Sequence, residues 1–203
     1  MNHLKQEVQL GARQMLLSNQ LPKDQVLVIQ QGFVKIFTHN AEGEERLLGI
    51  AGPGQALFTE QLFPALPALG QMETITSFYG CLIPVQLLQQ GDGLKKESLC
   101  FLEQSMRFYQ QSLQRMQHFT QASVIQRLAL SICHVADMGG FNAKGELRVP
   151  LRRADWAALA HITTESAIRG IARMEDEGLL VKNGRMFRLL SLPQIQALSK
   201  QAS

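Results

Sequence analysis

Residues 151–190 read LRRADWAALAHITTESAIRGIARMEDEGLLVKNGRMFRLL, and the order of signals in this stretch decides the fold. Leu151 to Ala160 is apolar-led and predicts a short helix, followed by a tight turn. Thr163 stands where an N-cap belongs, because its hydroxyl can accept from a backbone N–H left free in the first helical turn. A second helix is predicted from Thr164 to Glu177, stopped by glycine. Beyond it, Asn183-Gly184 between apolar flanks predicts a hairpin over 179–190, since both residues tolerate positive φ. Helix, turn, helix and two-stranded hairpin in that order make a winged helix-turn-helix.

The second helix has two unlike faces. At about 100° per residue, Ala167, Ile171 and Met174 fall within about 60° and point to the core. Glu165, Arg169 and Arg173 occupy a separate arc of about 80°, flanked by Thr164 and Ser166. The N-terminal half of such a helix enters the major groove. There an Arg can bind guanine O6 and N7 together, and a Glu can accept from cytosine N4. Hydroxyls and N–H groups at the helix start suit phosphate oxygens. Candidate DNA-contacting residues are therefore Thr163, Thr164, Glu165, Ser166, Arg169 and Arg173 on this helix. Arg152 and Arg153 join them from the first helix, with Lys182, Arg185 and Arg188 from the wing. The plain alternative for Glu165 and Arg169 is an ordinary i, i+4 surface pair.

Upstream, residues 26–90 read as short strands. VLVIQQ (26–31), FVKIFT (33–38), ERLLGIA (45–51), METITSF (72–78) and CLIPVQL (81–87) alternate with Gly, Pro and Asn punctuation, the pattern of a small sandwich or barrel. Residues 4–20 fit either a short helix or a loose arm. From Lys95 the pattern turns helical. Leu99, Leu102, Met106, Tyr109, Leu113 and Met116 step by 3, 4, 3, 4 and 3, an a/d seam suited to packing on a second copy of the same helix. Another helix is expected over 121–138, ended by Gly139-Gly140, then a short strand ELRVP (146–150). The last residues, LPQIQALSKQAS, fit a brief helix. The fold class expected is α+β, with an antiparallel, jelly-roll-like β-roll (1–94), a long dimerisation helix (95–120) and a winged helix-turn-helix (121–203).

Composition sets outer limits. The chain has 203 residues, 45% hydrophobic, with a formal net charge of +3, which by itself says little about an anionic partner. Cys81, Cys100 and Cys133 are far apart and form no C-x-x-C pair, so buried thiols in a reducing compartment are expected rather than disulfides or an iron–sulfur site. MNHLKQEVQLGARQMLL lacks the apolar run of a signal peptide, and no stretch reaches the ~18 apolar residues of a membrane span. A cytoplasmic protein without membrane contact is expected. No nucleophile–base arrangement, phosphate loop or metal-ligand spacing is present, so no enzyme is expected.

The motifs above resemble the CRP/FNR family of bacterial transcription regulators across nearly the whole chain. The specific part is "LRRADWAALAHITTESAIRGIARMEDEGLL", which is similar to the family's first helix, turn, T-x-E-[ST] leading to Arg, and closing Gly-Leu-Ile-like end. The resemblance implies base-reading roles for Glu165 and Arg169 and a phosphate contact for Ser166. It places His161 where the turn usually has Gly, and Thr164 where the best-known members carry Arg, so no operator sequence carries over. "VLVIQQGFVKIFTHNAEGEERLLGIAGPGQAL" resembles the family's β-roll signature more weakly. The family implies a cyclic-nucleotide-type roll, a homodimer, double-stranded DNA as partner, and contact with RNA polymerase.

One family feature is missing. Nucleotide-binding members follow the roll signature with Gly-Glu and then Arg-Ser, whereas this chain has "ALFTEQLFPALPALGQMETIT" and no Arg between Arg46 and Arg107. A phosphate diester buried without a cation costs several kcal/mol or more. Cyclic nucleotide binding is therefore not expected, and no other cofactor is indicated. Clustered cysteines for an oxygen-sensing centre and paired histidines for haem are absent from the sequence. LFPALPAL (62–69) is expected to fill the pocket with its own side chains, and Glu60 stands near the missing Glu. The reading reached is a sequence-specific, homodimeric DNA-binding regulator without cyclic nucleotide; the alternative is a protein-interaction module that uses the winged domain without reading DNA.

Overall fold

The computed structural model describes residues 6–16, 24–62, 70–90, 93–94 and 96–200. Residue contacts divide the chain into two units. One comprises residues up to Phe37 together with Gly49–Gln111; the other comprises Thr38–Leu48 together with residues from Ser112 onward.

The amino-terminal strands are β1 (Gln6–Leu10), β2 (Met15–Leu16), β3 (Gln25–Gln31), β4 (Val34–His39), β5 (Glu45–Ala51), β6 (Ala56–Leu57), β7 (Gln71–Thr74) and β8 (Phe78–Pro84). They form two four-stranded sheets, ordered β1-β8-β3-β6 and β2-β7-β4-β5. β8 runs antiparallel to both β1 and β3, and β7 to both β2 and β4. Residues 6–16 are thus neither helix nor arm. β1 sits against Phe78–Leu82 and β2 against Met72 and Glu73, covering strand edges that would otherwise be open. Their sequence hid this because only Val8 and Leu10 of β1 turn inward, and those only half-way. The β3–β4 connection needs glycine: Gly32 has φ +93°, and a Cβ there would lie 2.3 Å from the Ser77 carbonyl oxygen.

β3 buries Val26, Leu27 and Ile29, and β4 buries Val34, Ile36 and Phe37. Lys35 is buried among them. Its ammonium lies 3.5 Å from the Glu73 carboxylate and 4.6 Å from the centre of the Phe37 ring, the partners a buried cation requires. LFPALPAL lies, apart from Leu62, outside the described residues. Leu62 itself joins a buried cluster with Val26, Val85 and Leu88.

After α1 (Val85–Leu88) and the short pair β9 (Gln89–Gln90) and β10 (Gly93–Leu94) comes α2 (Lys96–Phe119). Ser98 Oγ donates to the Leu88 carbonyl, Phe101 packs on the Val26 cluster, and the Ser105 and Thr59 hydroxyls are 2.8 Å apart. The predicted seam lies on another face. Leu99, Met106, Tyr109 and Leu113 are 52%, 54%, 41% and 58% exposed, and Leu102 and Met116 are half-buried. The chain's own fold therefore leaves the seam uncovered.

The second unit contains α3 (Val124–Gly139), α4 (Arg153–Ala160), α5 (Thr164–Asp176), β11 (Leu180–Asn183), β12 (Met186–Leu189) and α6 (Leu192–Lys200). Ser123 and Gln126 form a capping box at the start of α3. α5 approaches α3 closely at Gly170, where a Cβ would stand 2.4 Å from Leu128 Cδ1. Trp156 of α4 stacks on Phe187 of β12 with ring centres 5.0 Å apart. Three expectations are corrected here. ELRVP is not a strand; it makes two isolated bridges, Phe141 with Leu147 and Glu146 with Arg188. The wing turn is Gly184-Arg185, not Asn183-Gly184, because Asn183 pairs with Met186 inside the ladder. The Asn183 amide donates to Glu146 at 2.8 Å, a partner outside the hairpin that holds it in the strand, and Gly184 alone takes positive φ. The three thiols are free, with Cys81 buried but Cys100 exposed, contrary to the expectation that all are buried; Cys100 faces outward from α2.

Arg115, at the carboxy-terminal end of α2, is buried. Its guanidinium donates to the Leu48 carbonyl and, at 3.2 Å, to His134 Nδ1. Burial lowers its pKa to about 10, so it stays charged. Burial, and then the Arg115 charge, push His134 down to about 3. An unfolded His, at about 6.5, takes up a proton that the folded chain refuses. Stability from neutral His134 is therefore fully present above about pH 6.5 and lost as pH falls toward 3, at up to about 1.4 kcal/mol per pH unit. Urea unfolding followed through the fluorescence of Trp156, the sole tryptophan, should show this decline between pH 6.5 and 4.5. His134→Gln should flatten it; an unchanged slope would refute the assignment.

Candidate nucleic-acid interface

α5 begins where the sequence places it. Thr163 is extended (φ −71°, ψ 155°), and its Oγ1 accepts from the Ser166 N–H at 3.2 Å. The Glu177 N–H closes the other end on the Arg173 carbonyl at 2.9 Å. Ala167, Gly170, Ile171 and Met174 are buried. Glu165, Arg169 and Arg173 are exposed, and Thr164 and Ser166 are half-buried beside them. One face thus packs on α3 and α4 while the other carries the predicted polar groups outward.

The charges on that face are not all equally free. Among the described residues, Glu165 and Arg169 form no ion pair with each other; the Arg169 guanidinium instead lies 3.4 Å from Ser166 Oγ. Arg173 is paired with Glu177 at 2.7 Å, with both side chains largely in solvent, an arrangement worth little to stability and easily exchanged. Arg152 is held more firmly. Its side chain grips fully buried Asp155 at 3.1 and 2.9 Å, and its backbone N–H donates to the same carboxylate. That bidentate hold fixes the start of α4. Arg153 lies over the Phe187 ring, and Lys182 contacts Glu175 at 2.5 Å. Arg185 at the wing tip and Arg188 on β12 are exposed.

The turn between α4 and α5 carries its own tether. His161 adopts the left-handed conformation (φ 53°, ψ 47°) and donates its N–H to the Ala157 carbonyl as the C-cap of α4. That is an uncommon conformation for a residue with a side chain. The imidazole meets the Phe119 ring edge-on at 5.2 Å, with Nε2 at 3.5 Å from the Leu47 carbonyl. Burial, reinforced by the nearby Arg46, Arg115 and Arg127 charges, lowers its pKa against the opposing pull of that carbonyl. Glu44, just before β5, and Glu45 and Arg46 at its start line a surface cleft with Arg152, Thr163 and Glu165. Among the described residues no group of His, Cys, Asp and Glu side chains is placed to hold a metal ion, and no helix is long and apolar enough to cross a membrane.

Sequence reasoning missed Ile168. It is 48% exposed on the solvent face of α5, and at about 100° per residue it stands about 60° from Glu165, on the side away from Arg169. The same angular count that sorted the other residues contains it.

In the amino-terminal unit, a cavity lined by Ile36, Leu57, Phe58, Met72, Gln104 and Ser105, among others, has a volume of about 20 Å³, room for little more than one water. Glu60 is half-buried with neither carboxylate oxygen bonded, and burial raises its pKa.

Residues 126–199 match the family model described as the Crp-like helix-turn-helix domain. FixK2 from Bradyrhizobium japonicum, 16% identical, superposes with a TM-score of 0.79 over 96% of this chain and 97% of that one. The chain is similar to this protein in fold. TTHA1359, a CRP/FNR-family transcriptional regulator from Thermus thermophilus, is 18% identical, with a TM-score of 0.76 over 98% of this chain and 100% of that one. CLP, a c-di-GMP-responsive regulator from Xanthomonas campestris, is 16% identical, with a TM-score of 0.73 over 92% and 94%. At these identities the likeness is one of fold, and it extends beyond the matched domain to the roll and α2. No curated protein matches the sequence. In the matched segment, Thr163 is the cap that sets where α5 begins. Thr163→Ala should lower stability by about 1 kcal/mol, read as a shifted midpoint in thermal unfolding followed by Trp156 fluorescence.

Proposed function

We propose that the protein is a homodimeric, sequence-specific DNA-binding transcription regulator that recognises a near-palindromic operator. The observation that carries this reading is the solvent face of α5. An N-capped helix in a Crp-like helix-turn-helix domain presents Glu165 and Arg169 unpaired with each other. A surface pair serving stability alone would be closed; here the carboxylate and a guanidinium held only by the Ser166 hydroxyl can turn to base edges. Thr163, Thr164 and Ser166 supply hydroxyls for phosphate at the helix start, and Arg173 exchanges Glu177 for the backbone of DNA. On the wing, exposed Arg185 is a stronger phosphate contact than Lys182, which is tied to Glu175.

The dimer rests on α2. Leu99, Leu102, Met106, Tyr109, Leu113 and Met116 form an apolar seam at coiled-coil spacing, and its four most exposed members are left open by the protomer. A twofold axis along this seam gives two recognition helices and hence two half-sites about one turn apart. Among the described residues the lining of the small cavity in the roll carries no cation, which supports a regulator that works without cyclic nucleotide.

Selection of bound duplexes from a random pool, with no ligand added, should return such a palindrome. Arg169→Ala should cost roughly 1–3 kcal/mol and relax preference at one base pair per half-site, while Arg185→Ala should weaken all sequences alike and reduce the salt slope by about one per protomer. Binding indifferent to sequence and to Arg169 would instead favour a protein-interaction role. Separately, Met106→Glu with Leu113→Glu should yield a folded monomer by sedimentation and abolish operator binding. Both positions are already exposed in the protomer, so persistence of the dimer would refute the seam.

A further inference from the structure

Ile168 has no role in the fold described above. The core face of α5 is Ala167, Gly170, Ile171 and Met174, and Ile168 lies outside it, about 60° round the helix from Ile171 and 48% exposed. Isoleucine is also a poorer helix former than the Lys, Arg or Gln usual at an exposed position. Its place on the helix defines its surroundings. It lies one turn after Glu165 and directly before Arg169, with half-buried Ala172 one turn beyond. Ile168 and Ala172 make a narrow apolar strip beside the polar one.

A major groove offers an aliphatic side chain one apolar feature, the C5-methyl group of thymine. We propose that Ile168 packs on a thymine methyl in each half-site and so specifies an A·T pair next to those read by Glu165 and Arg169. The proposal rests on the DNA-reading role of α5 and adds a selector of opposite chemistry to it. Glu165 and Arg169 choose by hydrogen bonds. Ile168 chooses by covering a methyl group that cytosine lacks in the same place. The angular order assigns sides: Glu165 is central, Arg169 lies to one side, and Ile168 and Ala172 lie to the other, so the thymine is offset from the Arg169 contact across the position of Glu165.

The test changes only the methyl group. In the palindrome selected by the wild-type protein, each thymine is replaced in turn, symmetrically in both half-sites, by deoxyuridine, and affinity is measured by fluorescence anisotropy. Removing one buried methyl should weaken binding by about fourfold per half-site, about fifteenfold for the pair. One symmetric thymine pair should show this loss with the wild-type protein. Ile168→Ala should bind the thymine and deoxyuridine duplexes alike, and Ile168→Val should keep much of the discrimination. Thermal unfolding should be nearly unchanged in both variants, because the side chain is exposed. If no thymine methyl matters, or the loss persists in Ile168→Ala, the inference is overturned. Failure to select any palindrome overturns the DNA-reading proposal itself and this one with it.

Discussion

A guanidinium buried at the end of a long helix is the constraint on which the second unit depends. Arg115 cannot lose its proton at physiological pH, so its surroundings must supply acceptors. The Leu48 carbonyl and His134 Nδ1 do so. One comes from β5 and the other from α3, so a single charge ties three separate stretches of chain together. Leu48 adjoins Leu47, whose carbonyl faces the imidazole of His161 in the turn before α5. The placement of the turn therefore follows from a chain of contacts that starts with the need to satisfy one buried cation. Removing Arg115 would leave a part-buried carbonyl without its donor, a loss above that of a surface ion pair.

α2 has two unlike sides. Its inward side carries Ser98, Ser105 and Ser112, then Phe101, Phe108 and Arg115, each series spaced by seven residues. Small residues let the helix lie close to its neighbours, and Ser98 and Ser105 hydrogen-bond to them; the aromatic rings fill what space remains. The apolar seam runs along a different side with the same spacing. A helix that only covered its own roll would bury its large apolar residues, whereas here Met106 and Leu113 remain more than half exposed.

The carboxy-terminal elements were legible because their signals are local. A Thr cap, a 3.6-residue apolar period and Gly178 act within a few residues of themselves, and α5 begins and ends within one residue of expectation. What escaped depends on contacts made at a distance. β1 and β2 are strands because β8 and β7 need neighbours, and QEVQL carries little sign of that alone. Asn183-Gly184 is a strong hairpin signal, yet the turn moved one residue onward because Asn183 found Glu146, which lies 37 residues away in the chain. Arg152 was read as a phosphate ligand from its charge, while buried Asp155 three residues on gives it a structural duty. Ile168 escaped for a different reason: its side chain lacks the polar groups by which the residues of the solvent face were sorted.

The seven-residue spacing on both sides of α2 has a consequence for how the sequence can drift. Substitutions along this helix can be absorbed one at a time, but a single inserted or deleted residue turns everything after it by about 100° and displaces it by about 1.5 Å along the axis. A deletion just after Ser98 would carry the serines and phenylalanines that follow off the inward side and swing seam residues onto it, whereas an insertion there would put those serines and phenylalanines on the seam. The letters of α2 are open to change; its length is not.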